Sequence, residues 1–361
     1  FSYDMYDVRT QFGASNKTAH THFSIMPETS APLITLADLH AAKDVINKSP
    51  HVRRTVLLPR AQKMFPNLDQ SMDLYMKLEN MQSTGSFKVR GVVNQFQTVP
   101  AGYGTEEHKL ITMSAGNYGK SFAIIANSLG LKGVVLMPHT APANRSQLIV
   151  EYGIEVERMP TSELQNGVDR YVQEKQMLYL HSFDDPKLIA GHGSAGLEII
   201  EDLPNPDIIL VCCGGGGLVA GIAAAVKLTG HSDCRIYAVE PEEARVMYES
   251  FKLGQATSMT PKSIAAGLSP PYAGTNTYKH CKAFVEGVLL VSDDEIVRAM
   301  RALYHCGLVV EPSGAAAFAA LYHNKVPDVK GKRVVVVITG GNVTVEEMLE
   351  LDKKFPESKG T

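Results

Sequence analysis

The chain has 361 residues, 44% of them hydrophobic and 20% charged, enough for two lobes around buried cores. A net charge of -3 supplies neither a basic patch for nucleic acid nor a polybasic arm for a membrane surface. No apolar run reaches the roughly 18 residues of a spanning helix, which sets both nucleic acid and membrane aside as partners.

Residues 1–30, rich in Ser, Thr and His, show no period and read as a mobile arm, with His20 and His22 its candidate metal ligands. The first residue is Phe1 rather than Met, which leaves room for a removed leader or tag and an organellar address. From about Ala31 the pattern becomes regular. A helix is predicted over 35–45, an extended lead-in over 54–59 and a strand over 74–79. That strand runs into Ser83-Thr84-Gly85-Ser86-Phe87-Lys88-Val89-Arg90-Gly91, after which 92–96 reads as helix. Lys88 then falls in a first helical turn, where the positive end of the helix dipole disfavours an ammonium and favours the neutral, nucleophilic amine. Such an amine can form a Schiff base; a surface lysine at a helix start is the plainer alternative.

Strands at 110–113, 133–137 and 156–159 alternate with helices at 118–129, 144–152 and 168–176. This βαβαβα block makes a small domain of 109–186, leaving 1–108 and 187–361 as the large one. The second half repeats the alternation. Helices are predicted at 188–203, 218–228, 278–284, 296–306, 315–322 and 345–354. Strands are predicted at 208–213, 235–239, 288–291 and 333–338. Ser292-Asp293-Asp294-Glu295 is a capping box. Strands this apolar throughout suit a mostly parallel sheet covered on both faces, an α/β fold of two doubly wound lobes.

Cys212, Cys213, Cys234, Cys281 and Cys306 form no C-x-x-C pair and are odd in number. That usage suits a reduced, cytoplasmic protein with thiols as core filler.

Gly214-Gly215-Gly216-Gly217 joins a buried strand to a helix. Four residues without side chains let backbone N–H groups converge on an anion, with the helix dipole behind them. A dinucleotide site would need a third glycine where Val219 stands, so a smaller phosphate-bearing cofactor fits better; a ligand-free turn is the alternative. Ser114-Ala115-Gly116-Asn117-Tyr118-Gly119 offers a second anion-friendly strand–helix turn, with Ser114 and local amides suited to a carboxylate. Thr339-Gly340-Gly341-Asn342 places a hydroxyl after the last strand. Glu311-Pro312-Ser313-Gly314 reads first as a helix start.

These stretches together resemble the serine/threonine dehydratase and serine racemase family, fold-type II enzymes dependent on pyridoxal 5'-phosphate. Further stretches of the resemblance are Tyr152-Gly153, Phe183-Asp184-Asp185-Pro186 and Val239-Glu240-Pro241. The resemblance implies two α/β lobes with the cofactor in the cleft (tryptophan synthase beta-like), a homodimer, and a small amino-acid substrate. It implies that Lys88 carries the Schiff base and is the base at the substrate's Cα, and that Phe87 packs on the cofactor ring. It assigns the ring hydroxyl to Asn117, the phosphate to Gly214, Gly215, Gly216 and Gly217 with Leu218, and the ring nitrogen to Thr339, with Glu311 among the cofactor residues. The substrate carboxylate goes to Ser114, Ala115, Gly116, Asn117 and Tyr118.

The implied reaction is elimination of water from a β-hydroxy amino acid, a dehydratase or ammonia-lyase activity giving a 2-oxo acid and ammonia. Racemisation and cofactor binding with little catalysis are the alternatives. Ala115 stands where racemases carry a serine acid/base, which favours elimination. Tyr118, Lys120 and Ala266 replace the family's usual His, Gln and Asp. The racemase-like divalent site, for Mg²⁺ or Ca²⁺, would map onto Glu240, the Ala244 carbonyl and Val246, and valine offers no side-chain oxygen.

Overall fold

The structure is a computed structural model that describes residues 5–7, 31–141 and 143–356. Its first third runs β1 (Met5–Asp7), α1 (Leu36–Lys48), β2 (Leu57–Leu58), β3 (Asp73–Leu78) and α2 (Lys88–Phe96). Then come β4 (Leu110–Met113), α3 (Asn117–Ser128), β5 (Gly133–Pro138), α4 (Ala143–Glu151), β6 (Glu155–Met159), α5 (Leu164–Lys175) and β7 (Leu178–Tyr179). The chain continues through α6 (Pro186–Asp202), β8 (Ile208–Cys212), α7 (Gly217–Leu228), β9 (Arg235–Pro241) and α8 (Val246–Leu253). Last are α9 (Thr275–Phe284), β10 (Gly287–Val291), α10 (Asp293–His305), α11 (Pro312–Tyr322), β11 (Arg333–Ile338) and α12 (Val345–Lys354).

Two sheets form. The larger has the order β1-β10-β9-β8-β11-β3-β2, and the smaller β6-β5-β4-β7. Every pairing is parallel except at the two edges of the large sheet, where β1 and β2 run antiparallel. The valine-rich strands explain themselves by period 2. Ile209, Val211, Val335 and Val337 enter one core, while Ile208, Leu210, Val334 and Val336 enter the core on the opposite face. The small sheet divides likewise, with Val135 and Met137 on one side and Val134 and Leu136 on the other. A strand buried on both faces has no polar alternation to show.

Three helices begin with reciprocal capping boxes: Thr35 with Asp38, Ser292 with Glu295, and Thr344 with Glu347. Each cap stabilises its helix by about 1 kcal/mol. Besides β1, two elements escape the sequence patterns. The strand β7 is two residues long, too short to show a period. The helix α8 has no local N-terminal signal, because its first amides are held by Glu240 from the preceding strand: Met247 and Tyr248 donate to its two carboxylate oxygens at 2.8 and 2.9 Å. The expectation of an unstructured N-terminal arm needs correction at residues 5–7, which pair with β10. His20 and His22 lie outside the described residues.

Candidate active site

Parallel strands leave a crevice beyond their carboxyl ends, and ligands of open α/β sheets bind there. Four loops meet in this crevice: 83–88 after β3, 114–117 after β4, 213–217 after β8 and 339–342 after β11. The first and last are joined by backbone, with Phe87 N–H donating to Thr339 O at 3.0 Å and Gly341 N–H to Gly85 O at 2.9 Å. Asn342 then ties in the turn after β4 of the small sheet. Its amide donates to Thr84 O at 3.0 Å and to Asn117 Oδ1 at 2.8 Å, while its own Oδ1 accepts from Lys120 Nζ at 2.6 Å.

Lys88 is the first residue of α2. Its amine donates to Ser182 O at 3.0 Å and lies 5.2 Å from the Phe87 ring centre and 5.8 Å from that of Tyr118. Burial pushes this amine down to about 8, with Cys212 acting weakly the other way. Desolvation thus favours the neutral amine, the same direction expected from the helix dipole. Two residues further along the same helix, Arg90 is fully buried between carboxylates. Its Nε donates to Glu79 Oε2 at 2.8 Å and its Nη1 to Glu198 Oε1 at 2.8 Å. Lys77 adds a second cation at 2.6 Å from Glu198. Burial penalises the Glu79 charge, but the guanidinium outweighs it and holds the carboxyl below its ordinary range.

The glycine loop fits a phosphate. Gly216 has φ +96°, and a Cβ at Gly215 would sit 2.2 Å from the Phe183 ring. Gly217 opens the twelve-residue α7, whose first amides lack intrahelical acceptors and are free to hold an anion with the helix dipole behind them. Leu218 contributes only its amide there, since its side chain is in the core. Behind the loop, Thr277 Oγ1 donates to Gly215 O at 2.6 Å and fixes the turn.

The remaining positions are a mixture. Thr339 is buried with its hydroxyl 3.2 Å from Cys212 Sγ, so Cys212 is a wall of the site rather than core filler alone. Asn117 donates from Nδ2 to Glu311 Oε1, which leaves one amide hydrogen for a phenolic oxygen. Glu311 precedes α11 yet makes no cap bond; it points at Asn117, and burial pushes its carboxyl up to about 7 against that bond. Ser114 Oγ accepts from Gly119 N–H at 3.0 Å and Gly116 N–H at 3.3 Å, leaving its own hydrogen for a carboxylate. Ala115 presents a methyl beside it. Tyr118 departs from the expectation of a carboxylate contact: it is buried in the small-lobe core and its hydroxyl donates to Gln95 Oε1.

His181 and Tyr272, which the sequence reading did not single out, line the same crevice. His181 Nδ1 accepts from Phe183 N–H at 3.2 Å and Asp184 N–H at 2.9 Å, and its Nε2 lies 3.1 Å from the Tyr272 hydroxyl. Burial, helped by Lys88, pushes this imidazole down to about 4, so it is neutral at ordinary pH.

A divalent cation does not fit the position that the resemblance implies. Both Glu240 oxygens are occupied by the amides of α8, Val246 is a buried aliphatic, and no group of three His, Cys, Asp or Glu side chains suited to a metal occurs among the described residues. A backbone cap stands where a hard cation would need free oxygens. Accordingly, Mg²⁺, Ca²⁺ or a chelator should leave the thermal unfolding midpoint unchanged; a rise with either metal would overturn this.

The sequence profile of the family described as pyridoxal-phosphate dependent enzyme matches residues 48–340. A catabolic L-threonine dehydratase of Staphylococcus aureus is 35% identical over 323 residues, covering 87% of this chain and 90% of that protein. Among solved structures, the processed threonine deaminase isoform 2 of Solanum lycopersicum superposes with a TM-score of 0.79 at 26% identity, over 92% of this chain and 100% of that one. Serine racemase of Dictyostelium discoideum gives 0.77 at 30% identity, over 86% and 99%. No helix among the described residues is long and apolar enough to cross a membrane. With residues 48–340 matched by the family profile, and a buried lysine, a four-glycine loop and a serine turn gathered in one crevice, the chain belongs to the pyridoxal-phosphate dependent enzyme family.

Proposed function

We propose that the protein is an ammonia-lyase that removes water from a small β-hydroxy amino acid, serine or threonine in kind, and yields a 2-oxo acid and ammonia. One observation carries this reading over its rivals: the desolvated amine of Lys88 lies 5.8 Å from the Tyr118 ring of a turn whose second residue, Ala115, has no proton to give. Bound pyridoxal phosphate would supply an electron sink for the substrate's Cα. Lys88 would hold its aldehyde carbon, the amides of Gly214 to Leu218 its phosphate, Asn117 its phenolic oxygen and Thr339 its ring nitrogen. Thr339 is neutral and cannot force a proton onto that nitrogen. The turn amides and the Ser114 hydroxyl bind and orient the α-carboxylate. The Lys88 amine would serve as the general base that takes the Cα proton.

The two sheets support a division into a large domain of 1–108 and 187–361 and a small one of 109–186, the crevice lying between them. The family resemblance supports a homodimer, checked by light scattering. All five cysteines are free thiols, which supports a reducing compartment such as the cytoplasm.

The test is a panel of amino acids with 2-oxo acid, ammonia and D-serine followed together. L-Serine or L-threonine should give oxo acid and ammonia, with D-serine forming at least about a hundredfold more slowly, because a general acid on the second face is worth about that much. D-Serine at a rate near that of elimination would favour the racemase reading. No turnover of any β-hydroxy amino acid would leave a cofactor-binding protein.

A further inference from the structure

We infer that Tyr272 is the acid that protonates the departing β-hydroxyl, an assignment that rests on the lyase reading above. Elimination of water leaves hydroxide to be neutralised as the C–O bond breaks, so a proton donor is needed within reach of the substrate's β-carbon.

His181 fixes which way the tyrosine proton points. Its Nδ1 is occupied by two backbone N–H donors, so the ring proton is on Nε2. That proton is donated to the Tyr272 oxygen at 3.1 Å. The tyrosine's own hydrogen is then left over, and it meets no acceptor among the described residues. Burial, with Asp184 nearby, pushes Tyr272 up to about 12, so it carries its proton throughout the neutral range.

Position supports the same role. The Tyr272 ring lies 5.4 Å from Phe183, which packs against Gly215 of the phosphate cradle. Between His181 and Phe183 lies Ser182, whose carbonyl holds the Lys88 amine. One short segment, 181–183, thus touches Tyr272, the base and the glycine loop together. The tyrosine is also held firmly. Pro270 and Pro271 restrict the loop, and backbone bonds flank the ring, Met259 N–H to Pro271 O at 2.9 Å and Ala273 N–H to Thr257 O at 3.0 Å.

The step balances. Lys88 takes the Cα proton and the electron pair of that bond becomes the Cα–Cβ double bond. The Cβ–O pair leaves with oxygen, which receives the Tyr272 proton and departs as water. The tyrosinate, steadied by His181 Nε2–H, recovers its proton from the Lys88 ammonium through solvent in the crevice, and both groups are restored.

The test compares L-serine with β-chloro-L-alanine, whose chloride leaves without a proton. In Tyr272→Phe holoenzyme, kcat on L-serine should fall about a hundredfold while the rate on β-chloro-L-alanine stays within a few-fold of wild type. The visible spectrum of the bound cofactor should be unchanged, and Tyr272→His, which returns a proton donor, should recover part of the serine rate. Equal losses on both substrates would make Tyr272 merely structural and overturn the assignment, as would an undiminished serine rate. A wild-type protein that turns over β-chloro-L-alanine but no β-hydroxy amino acid would overturn the lyase reading itself.

Discussion

Lys88→Ala protein should fold, bind the cofactor without a covalent link, and lose activity by about 10⁴-fold or more, since both the attachment point and the base are removed. Borohydride reduction followed by peptide mapping is the direct check: the wild type should carry added cofactor mass on the peptide containing Lys88, and the variant none. The pH dependence of reconstitution gives a second check. An amine must be neutral to attack an aldehyde, and burial places that change for Lys88 at about 8. Capture of the cofactor by apo-protein should therefore quicken as pH rises through that value and level off above it. A rate indifferent to pH across that range, or mass added on another lysine, would show that Lys88 is not the attacking residue.

Much of this site could be read from order alone. The glycine run, the lysine turn and the serine and threonine turns each follow a buried strand, and parallel sheets bring all such turns to one edge. What remained hidden depends on contacts across long sequence separations. Nothing near Cys212 marks it as a neighbour of Thr339, 127 positions away. Glu311 looks like a helix start, and only its turn toward Asn117 makes it part of the crevice. Tyr118 sits in a turn that invites a substrate role, yet Gln95 draws its hydroxyl into the core. Glu240 resembles a metal ligand in sequence and is a helix cap in space. The pairing of His181 with Tyr272 joins two segments that have no shared local pattern.

Arg90 sets the position of Lys88 from behind, and its removal should have the largest effect on stability. Arg90→Met would leave Glu79 and Glu198, both nearly inaccessible to water, with Lys77 alone to balance them. Breaking a buried ionic network by deleting one member costs about 3–5 kcal/mol, because the charges left behind cannot be rehydrated. Urea unfolding should show a lowered midpoint with an unchanged slope, the mark of lost stability rather than an altered unfolded state. The exposed cluster of Arg54 with Glu201 and Asp202 is the internal control. Arg54 is 49% exposed and Glu201 43%, so Arg54→Ala should cost no more than about 1 kcal/mol. If the two variants unfold at the same urea concentration, burial does not set the worth of these charges, and Arg90 is not the brace of the helix that presents Lys88.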